Sequence, residues 1–90
     1  MTKAELVTAI AIQTGYNRDE ILNILESAML SVKKSVAGGN NVYLRGFGSF
    51  ITKVRKQKVA RNITAQKSVI VPEHKIPAFK PSDDFTEMLH

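Results

Sequence analysis

Hydrophobic positions follow two rhythms along these 90 residues, and the change falls near residue 40. Thr2 precedes a short helical pattern in which Glu5 stands three residues on as a capping-box partner. Leu6, Ala9, Ile10 and Gln13 follow at helical spacing, and Gly15 ends the run. Asn17 offers a second amino-terminal cap, with Asp19 and Glu20 in the first turn, where the helix dipole favours negative charge. The helix opened there is predicted to run to about Ala37. Within it Ile21, Leu25, Ala28, Val32 and Ser35 make one line, and Leu22, Met29 and Val36 make a second beside it. A face that wide is more than one short partner helix covers, which points to a second subunit.

Gly38-Gly39-Asn40-Asn41 breaks the helix and turns the chain. After it Val42, Leu44, Phe47, Phe50 and Ile51 carry the β-branched and aromatic residues of a hairpin. Residues 49 to about 59, and again 67–71, read as strand, with Ile51, Lys53 and Arg55 on one parity. The stretch from Arg55 to Ser68 has almost no bulky core-formers, so a two-stranded ribbon is expected there that projects into solvent. Pro72 and Pro77 place a bend or an exposed edge on the returning strand. Pro81, Ser82 and Asp83 stop that strand and cap a last short helix, with Phe85 and Leu89 as its apolar side.

Charge sharpens this picture. Residues 45–80 hold nine bases, Arg45, Lys53, Arg55, Lys56, Lys58, Arg61, Lys67, Lys75 and Lys80, against one acid, Glu73. The remaining residues are balanced or acidic, leaving the whole chain at +5. Excess positive charge confined to one strand-like stretch makes a polyanion-binding face, and the commonest large polyanion is a nucleic acid. Cysteine is absent, which removes disulfides, thiolate zinc sites and cysteine nucleophiles. His74 and His90 are too few and too far apart for a structural zinc site, and no cofactor or small-molecule substrate is indicated. With neither staple available to so short a chain, oligomerisation is the remaining stabiliser. No run approaches a membrane span, and the amino terminus lacks signal-peptide organisation, so a soluble intracellular protein is expected.

Gly46-Phe47-Gly48-Ser49-Phe50 is the densest local signal: its glycines permit a tight turn and close approach, while its phenylalanines anchor the turn. No Gly-Lys-Ser/Thr follows and no helix begins there, so nucleotide hydrolysis is not supported. Arg61-Asn62-Ile63 falls midway between the basic strands, where the ribbon tip belongs. Arg and Asn suit the acceptor atoms of minor-groove base edges, and an apolar Ile63 at an exposed tip suits a wedge between base steps. A Glu73–His74 neighbour pair on a strand points to opposite faces and makes a poor acid–base dyad, so no enzyme is expected.

With the helical hairpin, the Gly-Phe-Gly-Ser-Phe turn, the basic ribbon tipped by Arg61-Asn62, and Ile76-Pro77-Ala78-Phe79-Lys80-Pro81 in order, the chain resembles the bacterial HU and integration host factor family over essentially all its residues. The resemblance implies an α+β, IHF-like fold. It has a helical-hairpin base, a three-stranded antiparallel sheet with a long protruding β-ribbon arm, and a short carboxy-terminal helix, assembled as an intertwined homodimer or a heterodimer with a paralogue. It divides one DNA-binding domain into a dimerisation base and first strand (1–44), sheet and arm (45–81) and last helix (82–90). It also implies a cytoplasmic, nucleoid-associated architectural protein that binds double-stranded DNA through the minor groove with little sequence specificity. Bending, compaction and a preference for distorted DNA follow.

Carried onto this chain, Lys53, Arg55, Lys56, Lys58, Arg61 and Lys67 contact phosphates or the groove, and Asn62 sits at the tip. Gly46 and Gly48 bring amides near flanking phosphates, and Lys3, Lys75 and Lys80 extend the DNA path. Ile63 departs from the family's usual proline, losing its fixed φ and gaining an amide hydrogen. Ala65-Gln66 departs from the frequent threonine and glycine, so the tip turn is expected to differ. A site-specific bender of the integration host factor type remains an alternative, as does an RNA-binding module. Arg45 is open between a DNA contact and an ion pair with an acid such as Glu26 or Asp84.

Overall fold

The structure, a computed structural model, describes the backbone of residues 1–62 and 67–90 and the side chains of 1–59 and 70–90. Its elements are α1 (Lys3–Thr14), α2 (Arg18–Ala37), β1 (Val42–Leu44), β2 (Gly48–Arg55), β3 (Lys58–Asn62), β4 (Lys67–Val71), β5 (His74–Pro81) and α3 (Asp83–Glu87). The chain divides into two compact units, Met1–Lys34 and Ser35–His90.

In the first unit the predicted caps form. The Glu5 N–H donates to Thr2 Oγ1 (3.2 Å), and the Asp19 N–H donates to Asn17 Oδ1 (2.7 Å). Each replaces an intrahelical acceptor that the first turn lacks. Gly15 closes α1 at φ 78°, and its N–H donates to the Ala11 carbonyl (2.8 Å). The buried residue of α1 is Val7, 1 % exposed, whereas Leu6 and Gln13 of the predicted line stay open. Helix α1 therefore turns a face one residue away from the one expected. The Arg18 guanidinium donates to Thr8 Oγ1 and Lys3 pairs with Glu26 between the two helices. Ile21 is buried on α2, but Leu22, Ile24, Met29 and Leu30 remain exposed. Val7 and Ile21 are the buried hydrophobics of this unit among the described residues, and Val36 is that of the second, which is little burial for a chain of this length.

In the second unit Gly39, at φ 90°, carries the chain out of α2, and the Asn40 N–H donates to the Ser35 carbonyl (2.9 Å). Strands β1, β2 and β5 form an antiparallel sheet in that order, while β3 and β4 form a separate two-stranded ribbon. The fold is thus α+β with a three-stranded sheet. Strand Ser49 to Val59 is, however, not continuous. It breaks at Lys56-Gln57, opposite a break at Pro72-Glu73, between the Arg55–His74 and Lys58–Val71 pairs. Pro72 has no N–H to donate, so the ladder is interrupted on both strands at once. Pro77 instead sits within β5, an edge strand, paired with Thr52.

Phe47, Phe50, Phe79 and Phe85 make an aromatic cluster. Phe50 and Phe79 are 5.0 Å apart, Phe47 and Phe79 5.2 Å, and Phe47 stacks on Phe85 at 5.5 Å. The Ser82 N–H donates to the Phe47 carbonyl (2.9 Å) and Ser82 Oγ caps α3 through the Phe85 N–H (3.1 Å). Helix α3 ends at Glu87, shorter than the expected 82–90, and Leu89, 83 % exposed, is not part of its apolar side. Among the described residues no helix is long and apolar enough to cross a membrane.

Candidate nucleic-acid interface

The ladder between β2 and β5 decides which bases share a face. Ser49–Lys80, Ile51–Ala78, Lys53–Ile76 and Arg55–His74 have one phase, so Lys53, Arg55 and Lys80 lie on one side of the sheet. Phe50–Phe79, Thr52–Pro77 and Val54–Lys75 have the other, so Lys75 lies on the aromatic side, beyond the cluster. Beyond residue 52 the burial along β2 gives way to exposure, and Lys53, Arg55, Lys56, Lys58 and Lys75 are all exposed. Among the described residues the ion pair is Lys3 with Glu26, within the helical hairpin, and none of Lys53, Arg55, Lys58, Lys75 and Lys80 has an acidic partner there. Nothing neutralises them within the described chain, which leaves their field free for a polyanion.

Lys3 is placed differently from the others. Its ammonium is already engaged by Glu26, with both side chains about half exposed (52 % and 48 %). The sequence pattern did not single out Glu26 as that partner. The signal was the helical hairpin itself, which brings the start of α1 beside the third turn of α2. Arg45 has no acidic partner among the described residues.

The two glycines of the turn have separate reasons. Gly46 is exposed at φ 82°, a left-handed conformation that glycine adopts without strain, and the Phe47 N–H closes the turn on the Leu44 carbonyl (2.9 Å). Gly48 is buried, and a Cβ there would meet the Lys80 carbonyl oxygen and the Phe79 ring at 2.6 Å. Packing of β2 on β5 is enough to require glycine at 48. At Gly46 the expected approach of an anion meets a neighbour of the wrong sign, since Asp84 Oδ2 lies 4.0 Å from where a Cβ would stand.

His74 Nδ1–H donates to the Pro72 carbonyl oxygen (2.9 Å), bracing the break in the ladder. Glu73 lies in that break and not on a strand, so the two residues are not a strand-borne pair at all. No cluster of three metal-ligating side chains occurs among the described residues. Of the expected tip contacts, the side chains of Arg61, Asn62 and Lys67, and all of Ile63, Ala65 and Gln66, lie outside the described residues.

A helical hairpin, a small antiparallel sheet and a basic two-stranded extension define an α+β polyanion-binding protein. The chain belongs to the bacterial DNA-binding protein family of HU and integration host factor, whose family model matches residues 1–90. It is 34 % identical over 89 residues to the DNA-binding protein HU of Thermotoga maritima, covering 97 % of each chain. It is 27 % identical over 82 residues to the integration host factor subunit alpha of an Anaeromyxobacter species, covering 91 % of this chain and 83 % of that one. Among solved structures it superposes on the HU chain of an Anabaena HU–DNA cocrystal with a TM-score of 0.94 and 31 % identity, covering 99 % of this chain and 97 % of that chain. The family is one of DNA-binding proteins, not an enzyme family.

Proposed function

We propose that this protein is an HU-like architectural DNA-binding protein that works as a dimer, its basic ribbons following the minor groove of double-stranded DNA. The observation that carries the reading is the set of exposed, unpaired bases Lys53, Arg55, Lys56, Lys58 and Lys75 along the ribbon and the paired strands β2 and β5 that lead to it, here called the stem, with Lys80 at the stem's other end. Bases on both sides of the stem suit an element flanked by two phosphate strands. The solved relative crystallised with DNA supports the same partner.

The exposed Leu22, Ile24, Met29 and Leu30 of α2 support a second copy, or a paralogue, as the cover that a lone chain lacks. The whole of 1–90 then acts as one DNA-binding domain, and its place is the cytoplasmic nucleoid. Ile63 would enter a base step in each half of the dimer. Unstacking costs a few kcal/mol per step and is offset by the added phosphate contacts that a bend allows. DNA already nicked or gapped has met part of that cost, so distorted duplex is preferred, with little sequence dependence.

The test is equilibrium binding to intact and centrally nicked duplexes of equal length across a salt series. Tighter binding to the nicked duplex is expected, with log affinity falling by roughly 0.9 per log unit of salt for each phosphate neutralised. Salt-independent affinity would overturn the reading. The integration host factor relative favours one further measurement, selection from random duplexes; recovery of a single strong site would make the protein a site-specific bender instead.

A further inference from the structure

The ribbon carries a feature that its charge does not explain. In the ladder of β3 and β4 Val59 stands directly opposite Ile70, and Val59 is 66 % and Ile70 62 % exposed. Residues paired across an antiparallel ladder project to the same side, with Cβ atoms about 5 Å apart. The pair therefore forms one small apolar platform. Strands β3 and β4 pair only with each other, so no part of the described chain covers it. Lys58 precedes Val59 on β3, and Lys56, Arg55 and Lys75 lie just across the break in the ladder.

We propose that the Val59–Ile70 pair is an apolar contact for the deoxyribose walls of the groove that the ribbon enters, supplying an affinity term that salt does not screen. This rests on the DNA-binding reading above. The charge around the platform selects its occupant. A second copy of the ribbon would bring two unpaired basic stretches together and is repelled, whereas a duplex offers phosphates to the bases and, between them, sugar carbons to the platform. Coulombic attraction to phosphate weakens as salt rises, while removal of apolar surface from water does not depend on counterion release. The ribbon thus holds DNA through two separable contacts, and the sugar contact carries no base information, in keeping with low sequence specificity.

The experiment compares the parent chain with three variants on the nicked duplex across the salt series: Val59→Thr with Ile70→Thr, the exchanged pair Val59→Ile with Ile70→Val, and Lys58→Gln. Threonine is β-branched, so it keeps the strand propensity while removing apolar surface. The double threonine variant is expected to bind roughly ten-fold more weakly at every salt concentration with an unchanged slope, the effect of withdrawing about 55 Å² of apolar surface. The exchanged pair is expected to bind like the parent, and Lys58→Gln to lose about 0.9 from the slope. Equal affinity of the threonine variant and parent would overturn the proposal. So would a threonine variant that changes the slope as Lys58→Gln does, or an exchanged pair as weak as the threonine variant. Loss of self-association with DNA affinity intact would give the platform to a second copy and overturn it too. Failure of the parent chain to bind any duplex would instead strike the DNA-binding reading itself, and is seen without any variant.

Discussion

Phe79 and Ile70 are both large apolar residues in strands of the same unit, but Phe79 keeps 39 % of its surface exposed and Ile70 62 %, because their neighbours differ. Phe79 lies 5.0 Å from Phe50 and 5.2 Å from Phe47, on a strand held against the buried Gly48. Ile70 has one cross-strand neighbour, Val59, and otherwise faces outward. The difference shows where each part of the chain obtains its order. The closed end of the sheet is fixed by its own side chains, and the ribbon leaves its side chains available to a partner.

Removing the packing should therefore cost stability at one end only. Phe79 is only partly covered, so Phe79→Ala is expected to lower unfolding free energy by about 2 to 2.5 kcal/mol, below the cost at a fully buried site, read by thermal or denaturant unfolding at fixed protein concentration. Gly48→Ala forces a methyl against the Lys80 carbonyl and the Phe79 ring, which it would meet at 2.6 Å, and should cost about 2 kcal/mol in the same assay. Ser82→Ala removes the cap of α3 and should cost about 1 kcal/mol.

The ribbon reverses the pattern. Lys58→Gln should change stability by less than about 0.5 kcal/mol while lowering the salt slope of DNA binding by about 0.9. If it destabilised the fold as Phe79→Ala does, the contrast between the two regions would fail. The smallest effect is expected at the helical hairpin. The Lys3–Glu26 pair is half exposed, so Glu26→Gln should cost only a few tenths of a kcal/mol, and any gain in DNA affinity would measure how far Glu26 withholds Lys3 from phosphate.

Much of this was legible in the residues. Thr2, Gly15, Asn17 and Ser82 act locally, through hydrogen bonds or dihedral angles within a few positions, and each marks the boundary that the sequence predicts. The excess of bases between residues 45 and 80 was equally plain, because charge needs no fold to be counted. Other features depend on what lies across from a residue. Pro72 announced a bend, but its effect on Lys56-Gln57 follows from the β2–β5 register, which pairs distant segments. That α1 buries Val7 and leaves Leu6 open is decided by what lies beside the helix, which helical spacing cannot reveal.

The sequence by itself determined the helix ends, the turn at Gly46, the basic character of the ribbon and membership of the family, since these rest on local chemistry and on the order of motifs. Tertiary structure alone decided that Gly48 must be glycine for packing, that Asp84 stands beside Gly46, and that Lys75 faces away from Lys53 and Arg55. It also set Val59 against Ile70 with nothing among the described residues over them. Each of these is a relation between residues far apart in the chain, fixed by strand register and by the way side chains fill space.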